Sequence, residues 1–157
     1  MKILRASNDD KSALTHQIEL QGRGHTMMLC KTGEECFHTY NKLIRRSNRT
    51  GPLISSEESE FDVVLLDYEI EDMDALELGK RILSLNPAQR IILASANIHE
   101  TITRVMKEFD IPAQIIQKPI TSEMLISSLE DEDMYLELRK FKTESYIVRK
   151  TTEFNDV

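Results

Sequence analysis

A chain of 157 residues, 40% hydrophobic and 30% charged, has the composition of one globular domain with room for a short appendage. Its formal net charge of -7 speaks against direct nucleic-acid binding, which depends on clustered Lys and Arg facing phosphates, and no apolar run is long enough to cross a bilayer. Met1 leads at once into a strand-like segment without a secretory signal, and Cys30 and Cys36 lack the spacing of a zinc site or a disulfide framework, so free thiols in a cytoplasmic protein are expected.

Short apolar runs recur along the chain: "KILRA" (2 to 6), "TMMLC" (26 to 30), "DVVLL" (62 to 66), "RIILA" (90 to 94) and "AQIIQ" (113 to 117). Helical spacing lies between them. Leu14 and Ile18 are four apart; Cys36, Phe37, Tyr40, Leu43 and Ile44 follow; then Leu76, Gly79, Ile82 and Leu83; then Ile102, Val105, Met106 and Phe109. Gly22 and Gly24 mark the end of the first helix, Gly33 the start of the second, and Asn86-Pro87 the end of the third. A fifth helix ends near Leu129.

Strand and helix thus alternate five times, which predicts βαβ units with right-handed crossovers and a parallel sheet covered by helices on both faces. The unbroken apolar character of "DVVLL" and "RIILA" suits central strands, and Met27-Met28 reads as core strand. The Ser-, Asn-, Gly- and Pro-containing stretch 46 to 59 reads as a long surface-loop insertion. Residues 1 to 129 form the expected domain, and 130 to 157 a C-terminal extension of unknown role, too short for a usual output domain and able to supply a helix, a strand pair or a homodimer contact.

In a doubly wound parallel sheet, ligands bind outside the carboxyl ends of the strands. Those ends carry Ser7-Asn8-Asp9-Asp10, Asp67, Ser95-Ala96 and Lys118-Pro119. Carboxylates at the first and third strand ends offer oxygen ligands to a hard cation such as Mg²⁺. The Ser95 hydroxyl and the Lys118 ammonium could meet phosphoryl oxygens, and Asp67 could accept the group as an acyl phosphate.

With "FDVVLLDYEIEDMDALELGKRI", "RIILASA" and "IIQKP" in this order, the chain resembles the CheY-like receiver domain of two-component response regulators over about residues 2 to 129. The resemblance implies an α/β flavodoxin-like fold with strand order 2-1-3-4-5 and phosphorylation of Asp67 by a histidine kinase or phosphotransfer protein. It also implies a switch hydroxyl at Ser95, a phosphate-pairing Lys118 followed by a cis peptide bond, and Mg²⁺ held by Asn8, Asp9, Asp67 and the backbone carbonyl of Glu69. A stand-alone switch of this kind is not an enzyme beyond its own phosphorylation and dephosphorylation. It would signal by protein contact through the fourth helix and fifth strand.

Three features depart from that pattern. Ungapped alignment puts Ser7 and Asn8 where the family usually has two carboxylates, with Asp9 at a third position; Ile115 stands at a usual aromatic; and Glu71 and Ala75 replace Pro and Gly after the acceptor. The first departure motivates an alternative, a pseudo-receiver serving as a phosphorylation-independent interaction module. A third reading starts from "DYE", which partly resembles the Asp-x-Asp pair of haloacid dehalogenase-type phosphatases, although the second acid is Glu69 and that strand usually comes first. The acidic run Glu69, Glu71, Asp72 and Asp74 reads as a solvated turn and helix N-terminus, and no chemistry is assigned to His16, His25, His38 or His99.

Overall fold

The computed structural model describes residues 1–50, 61–109, 113–131 and 146–149. Strands β1 (Lys2–Ala6), β2 (Thr26–Cys30), β3 (Val63–Asp67), β4 (Arg90–Ser95) and β5 (Ala113–Gln117) alternate with helices α1 (Asp10–Gly22), α2 (Gly33–Thr50), α3 (Ala75–Leu85), α4 (Ile98–Glu108) and α5 (Ser122–Glu130). All five strands are parallel, as expected from the alternation, and lie in the order 2-1-3-4-5 that the resemblance implies. A sixth strand, β6 (Tyr146–Arg149), adds in parallel to the free side of β5.

Two expected boundaries change. Residues 46–50 of the expected 46–59 loop belong to α2, and 51–59 lie outside the described residues. Of the extension from 130, Glu130 closes α5 and 146–149 join the sheet; 132–145 and 150–157 lie outside the described residues.

The side-chain period of two sorts each strand between two cores. Leu4, Ala6, Val64, Leu66, Leu93 and Ile115 face α2, α3 and α4. On the opposite face Ile3, Leu65, Ile92 and Ile116 pack with Leu20 of α1 and Leu125 and Leu129 of α5. Each buried Leu, Ile or Val among them gains about 1.5–3 kcal/mol by leaving water, which offsets chain ordering in the central strands.

The helix starts follow from short polar side chains just beyond the strand ends. Asp9 accepts a bond from Ser12 N, Asp74 from Leu76 N, Asn97 from Glu100 N and Thr121 from Met124 N. Each satisfies an amide left open in the first turn and so turns the chain sharply back after β1, β3, β4 and β5. Gly24, at φ +87°, lets the chain leave α1 in a conformation that side-chain-bearing residues rarely adopt.

The buried face of α1 differs from the expected one. Leu14 and Ile18 are exposed, whereas Ala13, His16 and Leu20 face the core. Small Ala13 allows close packing, and buried His16 is retained because both ring nitrogens find partners. Met28 is exposed too, because β2 is an edge strand with only one covered face, and Met106 points outward from α4. Among the described residues no helix is long and apolar enough to cross a membrane.

Candidate functional site

A cavity of about 460 Å³ opens at the carboxyl ends of β1, β3, β4 and β5. Asp67 and Lys118 line it, with Arg5, Ser7 and Asp9 on the β1 side and Ala96 beyond β4. It forms there because β1 and β3 are central and end beside each other. Ala6 pairs with Leu66, so Ser7 and Asp67 emerge together from the same face of the sheet.

Asp67 is the last residue of β3 and is buried, 4% exposed. Its Oδ1 accepts from Glu69 N at 3.0 Å and from the Lys118 ammonium. Oδ2 has no hydrogen-bond partner among the described residues. One oxygen is therefore held and charge-paired while the other is open for chemistry. Lys118 is aligned by its own backbone, whose N–H donates to Ser95 O, and the Lys118–Pro119 bond is cis, in accord with the resemblance.

Glu69 does more than continue the turn. Its Oε1 accepts from Ala96 N, and its Oε2 accepts from Lys118 Nζ at 3.2 Å. A carboxylate thus occupies two anion donors beside Asp67, one a backbone amide after β4 and the other an ammonium. Two of the remaining acids of the turn, Asp72 and Asp74, also have partners. Asp72 accepts from Gly33 N and Glu34 N; burial opposes its charge, but those amides hold the carboxyl below its usual range. Asp74 accepts a forked bond from Arg104, which lowers its pKa. The acidic run is an exposed turn ending in the N-cap of α3, as expected, and three of its four carboxylates in addition tie the turn to α2, α4 and Lys118.

Ser95 and Asn8 lie elsewhere than the cavity wall. Ser95 is fully buried, and its Oγ meets Thr101 Oγ1 at 2.7 Å and accepts from Asn97 N at 3.0 Å, inside the turn that starts α4. Asn8 is exposed. Ser7, buried, accepts from Asp9 N through its hydroxyl, and the Asp9 carboxylate is engaged as the N-cap of α1.

These positions offer a divalent cation few ligands. Asp67 Oδ1 already faces an ammonium, Asp9 Oδ1 accepts from Ser12 N, and Asn8 is exposed, which leaves Oδ2 of Asp67 and Oδ2 of Asp9 as the open carboxylate oxygens at the cavity among the described residues. Among the described residues no group of three His, Cys, Asp or Glu side chains is arranged to hold a metal. Mg²⁺ keeps several waters and takes only one or two carboxylates, so the two open oxygens beside the buried Arg5 guanidinium make at best a weak cation site.

Arg5 and His16 were not singled out from the sequence. Arg5 sits one residue before the carboxyl end of central strand β1, buried, and its NH1 donates to His16 Nδ1 at 2.8 Å. A guanidinium has no acceptor, so Nδ1 must be unprotonated, and Nε2 carries the hydrogen donated to Ile120 O at 3.1 Å. Burial, and next the Arg5 charge, hold the His16 pKa below its ordinary value. The available signal was an Arg inside an otherwise apolar run, "ILRAS".

No family model matches the sequence, and no curated protein matches it. Solved structures do. A CheY-like receiver domain protein from Methanospirillum hungatei superposes with a TM-score of 0.64 at 19% identity, covering 87% of this chain and 95% of its own. A two-component response regulator from Clostridium difficile gives 0.66 at 18% identity, over 87% and 98%. A response regulator from Burkholderia pseudomallei, solved with a phosphorylated aspartic acid, calcium ion and citrate, gives 0.63 at 16%, over 88% and 72%. On this likeness and its 2-1-3-4-5 parallel core, the chain has the fold of the CheY-like response regulator receiver domains.

Proposed function

We propose that the protein is a phosphorylation-dependent signalling switch that accepts a phosphoryl group on Asp67 from a histidine kinase or phosphotransfer protein. The observation that carries this reading is the Lys118 ammonium on Oδ1 of a buried Asp67 whose Oδ2 stays open at a strand-end cavity. In the transfer, Oδ2 attacks phosphorus, a P–O bond forms, the bond from phosphorus to the donor nitrogen breaks, and the donor keeps the electron pair. Lys118 Nζ and Ala96 N, now on Glu69, are the groups that would meet the phosphoryl oxygens once Glu69 yields. No step of the transfer is assigned to the Mg²⁺ implied by the resemblance, because Asn8 is exposed and only Asp67 Oδ2 and Asp9 Oδ2 remain open for it beside the buried Arg5 guanidinium. Turnover is limited to the protein's own phosphorylation and dephosphorylation, the setting is cytoplasmic, and the signal passes to a downstream protein by contact.

Incubation with phosphoramidate, followed by intact-mass and peptide analysis, tests the reading. Stoichiometric labelling that Asp67→Asn abolishes supports it. Absence of labelling in every buffer sinks it.

A second reading, a pseudo-receiver that binds partners without phosphorylation, is favoured by one observation: Glu69 already occupies Ala96 N and Lys118 Nζ, the donors a phosphoryl group would need. It predicts partner affinity indifferent to Asp67→Asn. A change of affinity on phosphorylation would remove it.

A further inference from the structure

The strand "KILRA" should bury apolar residues on both faces, yet it carries Arg5 at 5% exposure. Burying a guanidinium is costly unless its donors are met. The same fold shows how that is done elsewhere. Arg90, equally buried, donates Nε to Gln114 Oε1 at 2.6 Å, NH1 to Leu129 O at 3.0 Å and NH2 to Ser128 O at 2.6 Å. Arg5 has one hydrogen-bond partner among the described residues, His16, and no carboxylate within ion-pair distance.

Its other N–H groups therefore lack an acceptor among the described residues, and Arg5 lines the Asp67 cavity. Asp67 is on the adjacent strand and the same face, two residues beyond Leu65, the register partner of Arg5. Burial lowers the Arg5 pKa, and the charges of Asp67 and then Asp9 oppose that shift, so the guanidinium feels both carboxylates across the cavity. His16 is a neutral acceptor, and its second nitrogen is anchored on Ile120 O just after Lys118-Pro119. It fixes Arg5 without neutralising it. A divalent cation placed on the β1 side of Asp67 would meet this fixed positive charge, whereas an oxyanion would complete it.

We propose that Arg5, held by His16, is the built-in cation of the Asp67 cavity, standing where a divalent metal would and binding a phosphoryl-type oxyanion together with Lys118. The inference rests on the reading of Asp67 as acceptor, and it makes loading of Asp67 independent of metal. Arg5 positions and neutralises the incoming anion; Asp67 remains the group that forms the bond.

The test uses the full chain with phosphoramidate, in EDTA and in millimolar Mg²⁺, and separately Mn²⁺ and inorganic phosphate followed by ¹H–¹⁵N NMR. Labelling is expected at rates within about twofold in the two buffers, and Arg5→Met should slow it at least about tenfold, as for loss of one preorganised charged donor. Arg5→Lys, which keeps the charge should Arg5→Met fail to fold, should retain the larger part of the rate. Mn²⁺ should leave the amides of Ser7, Asp67 and Ala96 unbroadened, and inorganic phosphate should shift the Arg5 Nε–H resonance. Labelling that stops in EDTA and ignores Arg5→Met, or Mn²⁺ broadening centred on Asp67, overturns the inference while leaving the acceptor reading intact. No labelling in either buffer refutes the acceptor reading. The Arg5 resonance then decides the anion site alone, and its indifference to phosphate overturns the inference.

Discussion

Arg104 of α4 forks onto Asp74, the N-cap of α3, with NH1 donating to Oδ1 at 2.9 Å and NH2 to Oδ2 at 2.5 Å. The same guanidinium donates Nε to Glu108 and NH1 to the hydroxyl of Tyr68, the residue after Asp67. The turn that follows the acceptor candidate is thereby tied to α4.

Arg104→Met should loosen that tie at modest cost in stability. Asp74 is 42% exposed, so screening limits the pair to about 0.5–1 kcal/mol, read from urea unfolding. Because Arg104 holds the Asp74 pKa below its usual value, the pair's stabilisation is whole above about pH 4 and is lost as pH falls through the depressed folded value. Asp74→Asn should flatten this acid limb. An unchanged limb would show that the pair contributes nothing measurable.

Glu69 competes for the donors that a phosphoryl group would use. Glu69→Ala frees Ala96 N and Lys118 from one carboxylate, and phosphoramidate labelling of Asp67 should then run about threefold faster or more, since a self-bound state no longer has to open first. Slower labelling would mean that Glu69 organises the site instead.

His16 supplies a second pH signature, opposite in origin to the carboxylates. Burial and Arg5 lower its folded pKa, so the unfolded chain binds the proton more readily. The contribution is whole above about pH 6.5 and declines as pH falls from there towards the folded value. Urea midpoints should therefore drop between pH 7.5 and 5.5, and His16→Gln should flatten that window at a general cost of about 1 kcal/mol. Equal slopes for both proteins would exclude His16 as the source.

Arg90 closes the carboxyl end of α5. Arg90→Met removes donors from Ser128 O, Leu129 O and Gln114 Oε1 in a buried setting, and the expected loss is about 2–4 kcal/mol with faster amide exchange in the last turn of α5. A loss under about 0.5 kcal/mol would mean that water replaces the guanidinium there.

Most of the fold was legible because strand and helix periods differ and five unbroken runs alternate with 3.6-period segments. Asp67 and Lys118 were legible for a topological reason, since parallel strands deliver their carboxyl ends to one edge. The face of α1 was not. Leu14 and Ile18 carry the hydrophobic signal, but a buried Arg5 on β1 makes His16 the better inward residue.

The sequence by itself determined five parallel strands alternating with helices and the residue types at the strand ends, because apolar period and polar caps are local properties of the chain; the order 2-1-3-4-5 came from the family resemblance and is borne out by the sheet. Only the tertiary structure decided which of those residues meet. Ser95 turns into the start of α4, Asn8 turns to solvent, Glu69 reaches across to Ala96 N and Lys118, and Arg5 lies buried at the Asp67 cavity. Such meetings depend on side-chain direction and on charges brought together from distant strands, which no local pattern encodes.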